Sequence, residues 1–522
     1  MFQFVFLLHV MAMSVSAQDV VVEVETSSQD VNVLLEEIDA YATKVQSDWN
    51  VPGMAVAIVK DGEVIFSKGY GVRELGKDDA IDGDSLFCIA SNSKAFTAAG
   101  LAILVDRGAL AWDDPVTKYV PEFEMPDAFV TREMTVRDLV CHRSGFDTFS
   151  GDLLWFGTNY TSDDVMSRIR YLKPESSFRS QYGYQNLMFI AAGKVIERIS
   201  GKNWGDFIEE EFLTPIGMTR TTTSISDMQE NIAMPHNESG GNGMRVLKLR
   251  NLDNCWGACG LNSSVNDLAK WMNVLLADGK NGEEQLISAD QVWNMMQPNT
   301  VMQLSRGAVA ANPHRHFQAY GLGFFLYDYH DRKVVHHGGG MDGMISQLAI
   351  VPEENLGVVV LTNSESSASR YVRDRVLDCF LGVEDRKDAS GEGVARQAAA
   401  DQRSAEAREK KNAERVADTS PTLPLEDYAS RFRSELYGDV TVALEGNHLV
   451  LRMVPAAEFV ADLEHWHYNT FEIKWRESVM YNFPRGFVTF TIDDSGKPKQ
   501  LIIDQPNDDF WFYELDLFRV DE

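Results

Sequence analysis

The sequence predicts an α/β chain of the α+β kind, with strands at both ends of a long helical middle, followed by a small all-β domain. Three observations predict it. Residues 54–60 and 63–68 are strand-like runs joined by Asp61-Gly62, a strong two-residue hairpin signal. Helical periodicity fills the middle, at 163–170, 187–199, 266–277 and 288–296, before strand-like runs return at 334–337, 347–351 and 357–361. Beyond Pro421 and Pro424 the chain becomes short alternating runs (DVTVALEGNHLVLRMV, TFEIKW, FVTFTID, KQLIID) punctuated by turn residues. That last pattern predicts a barrel.

Taken in order, residues 1–17 (MFQFVFLLHVMAMSVSA) form an apolar run of signal-peptide length, with small residues Val15 and Ala17 before Gln18. Cleavage near Ala17 would give a secreted, extracellular or periplasmic protein; no basic residue follows Met1, and an uncleaved anchor is the rival reading. A first domain is expected over 30–383. It opens with the hairpin and continues into SNSKAFTA (91–98) and GLAILVDRGAL, a run apolar on nearly every side that reads as a buried helix ended at Gly108. Residues 367–380 would close it as a helix. Between 384 and 420 the composition shifts to Ala, Glu, Arg and Lys without a sustained apolar stripe, a charged linker with some helix. Residues 421–522 form the β domain.

With 522 residues and 44% hydrophobic content the chain can bury a sizeable core. A formal net charge of -30 argues against nucleic acid or an anionic membrane as partner. After the N-terminal run, no segment is long enough to span a bilayer. The five cysteines (Cys88, Cys141, Cys255, Cys259, Cys379) are too scattered for a disulfide scaffold or a zinc site. Cys255 and Cys259 could bridge, but buried free thiols are the favoured reading. Asn159, Asn237 and Asn262 each begin a glycosylation acceptor triplet.

Ser91 and Lys94 carry the chemistry. Three residues apart on a helix, they share a face. A serine hydroxyl is a poor nucleophile until a base takes its proton, and lysine can do so only when neutral. Lowering its pKa from about 10.4 to about 7.5 takes roughly 4 kcal/mol of destabilisation of the ammonium, which burial can supply. Alone, a Ser-x-x-Lys spacing is expected about once or twice by chance in a chain this long. Two partners raise its meaning. Tyr184-Gln185-Asn186 stands at the entry to the apolar helix LMFIAAGKVIERISG; a phenol beside a lysine can pass a proton and an amide can hold a substrate carbonyl. His337-Gly338-Gly339-Gly340 lies between strands, where glycines permit close approach of a ligand and an N–H can help bind an oxyanion.

Together these elements resemble the serine β-lactamase and penicillin-binding-protein-like family, in particular its class C-related, peptidase S12 type branch with Ser-x-x-Lys, Tyr-x-Asn and His-x-Gly motifs. The similarity runs from about residue 51 to 381 through LFCIASNSKAFTA, MTVRDLVCHRSGF, YQNLMFIAAGKVIERISG, GACGLNSSVNDLAKWM, HHGGGMDGM and VPEENLGVVVLTN. The resemblance implies a β-lactamase/transpeptidase-like domain: an antiparallel sheet from the N-terminal hairpin and the late strands, flanked by helices, with a helical insert. It implies Ser91 as the acylated nucleophile, Lys94 as its proton partner and Tyr184 as companion base and acid. Asn186, His337, Gly339 and Gly340 would bind substrate, with the N–H groups of Ser91 and Gly340 forming the oxyanion hole. The chemistry would use neither metal nor cofactor. The tail, with LEHWH (463–467) at its centre, is similar to the lipocalin-like C-terminal domain of some serine peptidases of this family, where it assists assembly or access to the cleft. A homo-oligomer is thereby admitted.

The family pattern bends at His337. β-Lactamases and transpeptidases place lysine there to meet a substrate carboxylate, and histidine is mostly neutral at pH 7. The sequence therefore predicts a serine hydrolase acting on a small-molecule or peptide substrate, as an esterase or a D-amino-acid-type peptidase. The alternatives are a weak β-lactamase or penicillin-binding protein, and a non-catalytic scaffold that kept the fold.

Overall fold

The structure, a computed structural model, describes residues 28–238, 243–477 and 483–520. The expected signal segment 1–17 with its cleavage point near Ala17, and Ser239 of the second acceptor triplet, lie outside the described residues. Asp61 and Gly62 form the expected turn, with φ of 54° and 83°, and join β1 (Gly53–Lys60) to β2 (Glu63–Gly71). These strands pair with six later ones: β3 (Thr300–Met302), β4 (Gln318–Tyr320), β5 (Phe325–Tyr329), β6 (Arg332–Met341), β7 (Met344–Val351) and β8 (Leu356–Thr362). The result is one antiparallel sheet in the order β2-β1-β8-β7-β6-β5-β4-β3. The register of β1 against β8 runs from Met54 opposite Thr362 to Lys60 opposite Leu356.

Side chains alternate across a strand, and here both faces are covered. Val56, Ile58, Val358 and Val360 point to one layer, with Ile38 and Val45 of α1 (Ser28–Asp48) and Val372 and Val376 of a helix near the domain's end (Ala368–Phe380). Ala57, Val59, Val359 and Leu361 point the other way, into the core shared with α2 (Ser93–Asp106), α3 (Asn186–Ser200) and α4 (Val265–Leu276). Double coverage explains why β1 and β8 read as continuous apolar runs. The second layer also explains α2, which is buried from Ser93 through Leu104 because it is packed on every side.

The closing helix, α5 (Ala368–Phe380), falls where its periodicity placed it. Three features differ from the reading above. The N-terminal helix α1 was not anticipated, nor were β3, β4 and β5. The glycine-containing strand β6 runs from Arg332 to Met341, well past the expected 334–337. The charged segment, expected to hold some helix, carries α6 (Ala389–Ala413), of which only Ser390 and Gly393 are buried. All five cysteines are buried and free, Cys255 and Cys259 included.

The C-terminal domain is a closed eight-stranded barrel in sequence order: Ser430–Ser434, Gly438–Glu445, His448–Met453, Val460–His467, Thr470–Trp475, Phe487–Ile492, Pro498–Asp504 and Leu517–Arg519. In it, His465 Nε2 lies 3.1 Å from the Tyr468 carbonyl and His467 Nδ1 accepts from the Val416 N–H at 3.3 Å. The barrel sits against the helical insert. Asn159 N–H donates to Pro455 O at 2.8 Å and the Tyr160 hydroxyl to Tyr437 O at 2.5 Å, while the Phe156 ring lies 4.2 Å from that of Phe510. No helix among the described residues is long and apolar enough to cross a membrane.

Candidate active site

Ser91 lies in a short 3-10 turn (Ala90–Asn92) that feeds α2, so it precedes the α-helix rather than riding on it. Ala90 is held at φ 45°, a left-handed conformation that costs about 1–3 kcal/mol in a non-glycine residue unless its surroundings enforce it. They do. Ser93 Oγ donates to Ala90 O at 2.7 Å and accepts from Leu261 N–H at 2.9 Å. Ser346 Oγ of β7 donates to Ile89 O at 2.7 Å and accepts from the Asn92 side chain at 2.8 Å.

Lys94 is the second residue of α2 and is fully buried. Its Nζ donates to Ser91 Oγ at 3.0 Å, to Asn186 Oδ1 at 2.6 Å and to Ala258 O at 3.0 Å. Burial lowers its pKa to about 8, against the opposing pull of Cys259, Cys255 and Asp152. The neutral amine is thus within reach near physiological pH.

Tyr184 lies two residues before α3, whose N-cap Gln185 is extended. Its N–H donates to Thr148 Oγ1 at 3.1 Å, and its ring packs 4.2 Å from the His142 ring and 4.7 Å from Lys94 Nζ. Burial raises the Tyr184 pKa well above 10, outweighing the lowering influence of Ser91, which favours the phenol over the phenolate. Asn186, at the first turn of α3, uses both ends of its amide: Oδ1 accepts from Lys94 while Nδ2 donates to Asp152 Oδ2 at 2.6 Å.

His337 and Gly339 alternate on the face of β6 that meets the nucleophile turn. The His337 ring is buried, with Nε2 2.9 Å from the Tyr320 hydroxyl and Nδ1 2.6 Å from Gly338 O. Burial, then the charge of Lys94, lower its pKa to about 3, so it is a neutral imidazole. A Cβ on Gly339 would stand 2.1 Å from Ile89 O and 2.9 Å from Ser91 N, so only glycine lets this strand touch the turn. Gly340 lines the cleft beside Ser91.

Sequence reasoning missed Asp152. It is 2% exposed, accepts from Trp155 Nε1 at 2.8 Å as well as from Asn186, and stands one amide away from Lys94. Burial raises its pKa to about 8, against the hydrogen bonds from Trp155 and Asn186 and the charge of Lys94. The only signal was a lone acid leading the apolar run 153–156. The barrel's contribution was equally hidden: Asp509 and Phe510 line the same cleft, whose volume is about 670 Å³. Nearby, the Glu514 carboxylate accepts from Ser150 Oγ, and from Gly151 N–H at 2.9 Å, so the barrel clamps the loop that carries Asp152.

A family profile described as Beta-lactamase matches residues 38–379, and one described as Domain of unknown function (DUF3471) matches residues 414–517. An unguisins hydrolase (ungD') of Aspergillus campestris is 31% identical over 336 residues, which are 62% of this chain and 60% of that protein. Unguisins hydrolase ungD of Aspergillus violaceofuscus is 26% identical over 422 residues, 76% of this chain and 74% of the relative. Protein flp of Staphylococcus aureus strain MW2 is 27% identical over 340 residues, 63% of each. The chain thus spans less than two thirds of the length of the first and third of these relatives. Among solved structures, the octameric penicillin-binding protein homologue from Pyrococcus abyssi superposes with a TM-score of 0.60 at 21% identity, over 91% of this chain and 98% of that one. At that identity the likeness shows the fold alone.

Proposed function

Because the chain belongs to the beta-lactamase family, we propose that it is a serine hydrolase that cleaves an ester or a peptide-type amide through an acyl-enzyme on Ser91. One observation carries the reading: a fully buried lysine, its pKa lowered to about 8, donates a hydrogen bond to a serine hydroxyl at the mouth of a cleft. Neutral Lys94 takes the Ser91 proton as Oγ bonds to the substrate carbonyl carbon. The N–H groups of Ser91 and Gly340 hold the oxyanion; each such donor is worth about 3 kcal/mol. The bond to the leaving group then breaks, and that group takes a proton from the Tyr184 phenol, which Lys94 can replenish. Water attacks the ester and releases the acid. Asn186, with its second amide N–H, positions the substrate, while Gly339 keeps β6 against the turn. His337 acts as a neutral brace for β6.

Neutral His337 supplies no cation for a β-lactam carboxylate, which favours an esterase or D-amino-acid-type peptidase over a β-lactamase. The relatives named as unguisins hydrolases support hydrolysis as the reaction class. Parallel assays with nitrophenyl esters, D-amino-acid amides and a chromogenic cephalosporin separate the readings. Turnover of an ester or amide that Ser91→Ala abolishes is expected; turnover of the cephalosporin alone overturns the preference, and survival of turnover in Ser91→Ala overturns the mechanism. Export is proposed as well, and N-terminal sequencing of the mature protein should begin at Gln18. Self-association, prompted by the octameric neighbour, is read by light scattering.

A further inference from the structure

Asp152 has no role in the steps above, yet it is buried beside them. Carboxylates are rarely buried without a partner of opposite charge or a full set of donors. Asp152 has two donors, Trp155 Nε1 at 2.8 Å and Asn186 Nδ2 at 2.6 Å, and the other end of that same Asn186 amide accepts from Lys94 at 2.6 Å. An amide cannot reverse between two such neighbours. With its N–H end on a carboxylate and its carbonyl on an ammonium, both contacts are satisfied, and flipping it would set donor against donor and acceptor against acceptor.

We propose that Asp152 is a positioning residue that acts through Asn186, fixing the orientation of the amide and setting, by its own charge, how readily Lys94 gives up its proton. This rests on the reading of Lys94 as the base for Ser91. The groups facing Lys94 are Ser91 on its own turn, Cys255 and Cys259 at the two ends of the short helix Trp256–Cys259, Tyr184 just before α3, Asn186 at its start, and His142, Asp152 and His337. The groups facing Asp152 are Lys94, Trp155, Asn186, Tyr184, Cys255 and Asp509 of the barrel. Of the groups facing Lys94, His142 and His337 are held neutral by burial, and Asp152, its pKa raised to about 8 by burial, opposes loss of the Lys94 proton as it ionises near and above that pH.

The sign follows directly. Removing the anion leaves the ammonium less stabilised, so Lys94 becomes neutral at lower pH and the acidic limb of Ser91 acylation moves down. An opposite charge at this range shifts a pKa by about one unit, and one amide of separation brings that to about 0.5–1 unit. The experiment is the rate of fluorophosphonate labelling of Ser91 between pH 5 and 10 in the full chain, Asp152→Asn and Trp155→Phe. Because burial keeps Asp152 largely protonated below about pH 8, Asp152→Asn should change the rate at pH 7 little and raise the rate at pH 8.5 relative to that at pH 9.5 by about 1.5–3-fold, while its high-pH plateau falls because Asn186 is no longer held. Trp155→Phe removes a donor to the carboxylate without touching Asn186, favours the protonated acid, and should move the limb the same way by less. A uniform loss of rate with an unmoved limb in the folded variants would reduce Asp152 to a packing role and overturn the proposal. Should Asp152→Asn not fold, the limb of Trp155→Phe decides alone. A wild-type chain unlabelled at Ser91 at every pH would overturn the hydrolase reading, and this inference with it, whereas a labelled chain whose limb ignores both substitutions overturns only the inference.

Discussion

Replacing Gly339 with alanine tests how closely β6 must approach the nucleophile. The added Cβ would lie 2.1 Å from Ile89 O, 2.5 Å from Ser346 Oγ and 2.9 Å from Ser91 N. A carbon and a carbonyl oxygen rest at about 3.3–3.6 Å, so the strand and the turn must part by about 1 Å. The oxygen is backbone and is already fixed by Ser346, which rules out a rotamer change as relief. The φ of Gly339 is not in the left-handed region, so the cost comes from space rather than from the backbone. Overpacking of this kind typically costs about 1–3 kcal/mol of stability, too little to unfold a domain of this size. The effect on chemistry should be larger in kind, because misplacing a reacting group by about 1 Å costs about 100-fold in rate, or about 2.7 kcal/mol of barrier. Burst kinetics with a nitrophenyl ester, alongside thermal unfolding, measure both quantities. A folded Gly339→Ala protein that acylates within about threefold of wild type would refute the claim that this contact sets the geometry of Ser91.

Because Lys94 has its pKa lowered to about 8, acylation should rise about tenfold per pH unit below that value and level off above it, a profile read from labelling rates. Its stability effect has a definite sign. The folded chain releases the proton near pH 8 and the unfolded chain near 10.5, so this residue adds stability as pH rises through that window, a slope that Lys94→Met should lack in denaturant titrations. Removing the barrel's clamp with Glu514→Ala leaves Ser150 and Gly151 without their acceptor; the expected cost is about 1–3 kcal/mol, together with slower acylation. Unchanged melting and rate would show the clamp to be idle. All five thiols are buried, and burial raises Cys88 and Cys141 to about 12, so a thiol reagent should leave the native protein unmodified and react with five groups once it is unfolded.

Much of the fold was legible because its signals are local. Asp61-Gly62 fixes a turn, and the apolar run after Lys94 predicts burial whatever surrounds it. The strands β3 and β4 were not legible, since three residues, as in Thr300–Met302, carry no measurable period and take their extended form from the sheet edge they join. In the charged segment some helix was expected, but the bounds of α6 were not legible, because it has almost no buried face and so no apolar stripe to mark them. At the candidate site, Ser91, Lys94, Tyr184 and Asn186 announced themselves by short spacings. Asp152 could not, because its meaning arises only when Asn186 turns its amide toward it from a different element. The same holds for Asp509 and Phe510, which reach the cleft from another domain.

The most direct measurement is mass spectrometry of the protein after brief exposure to a fluorophosphonate or a slow ester. A single adduct is expected on the peptide carrying Ser91, absent from Ser91→Ala and strongly reduced in a folded Lys94→Met protein. An adduct on any other residue, or equal labelling without the Lys94 amine, would contradict the mechanism.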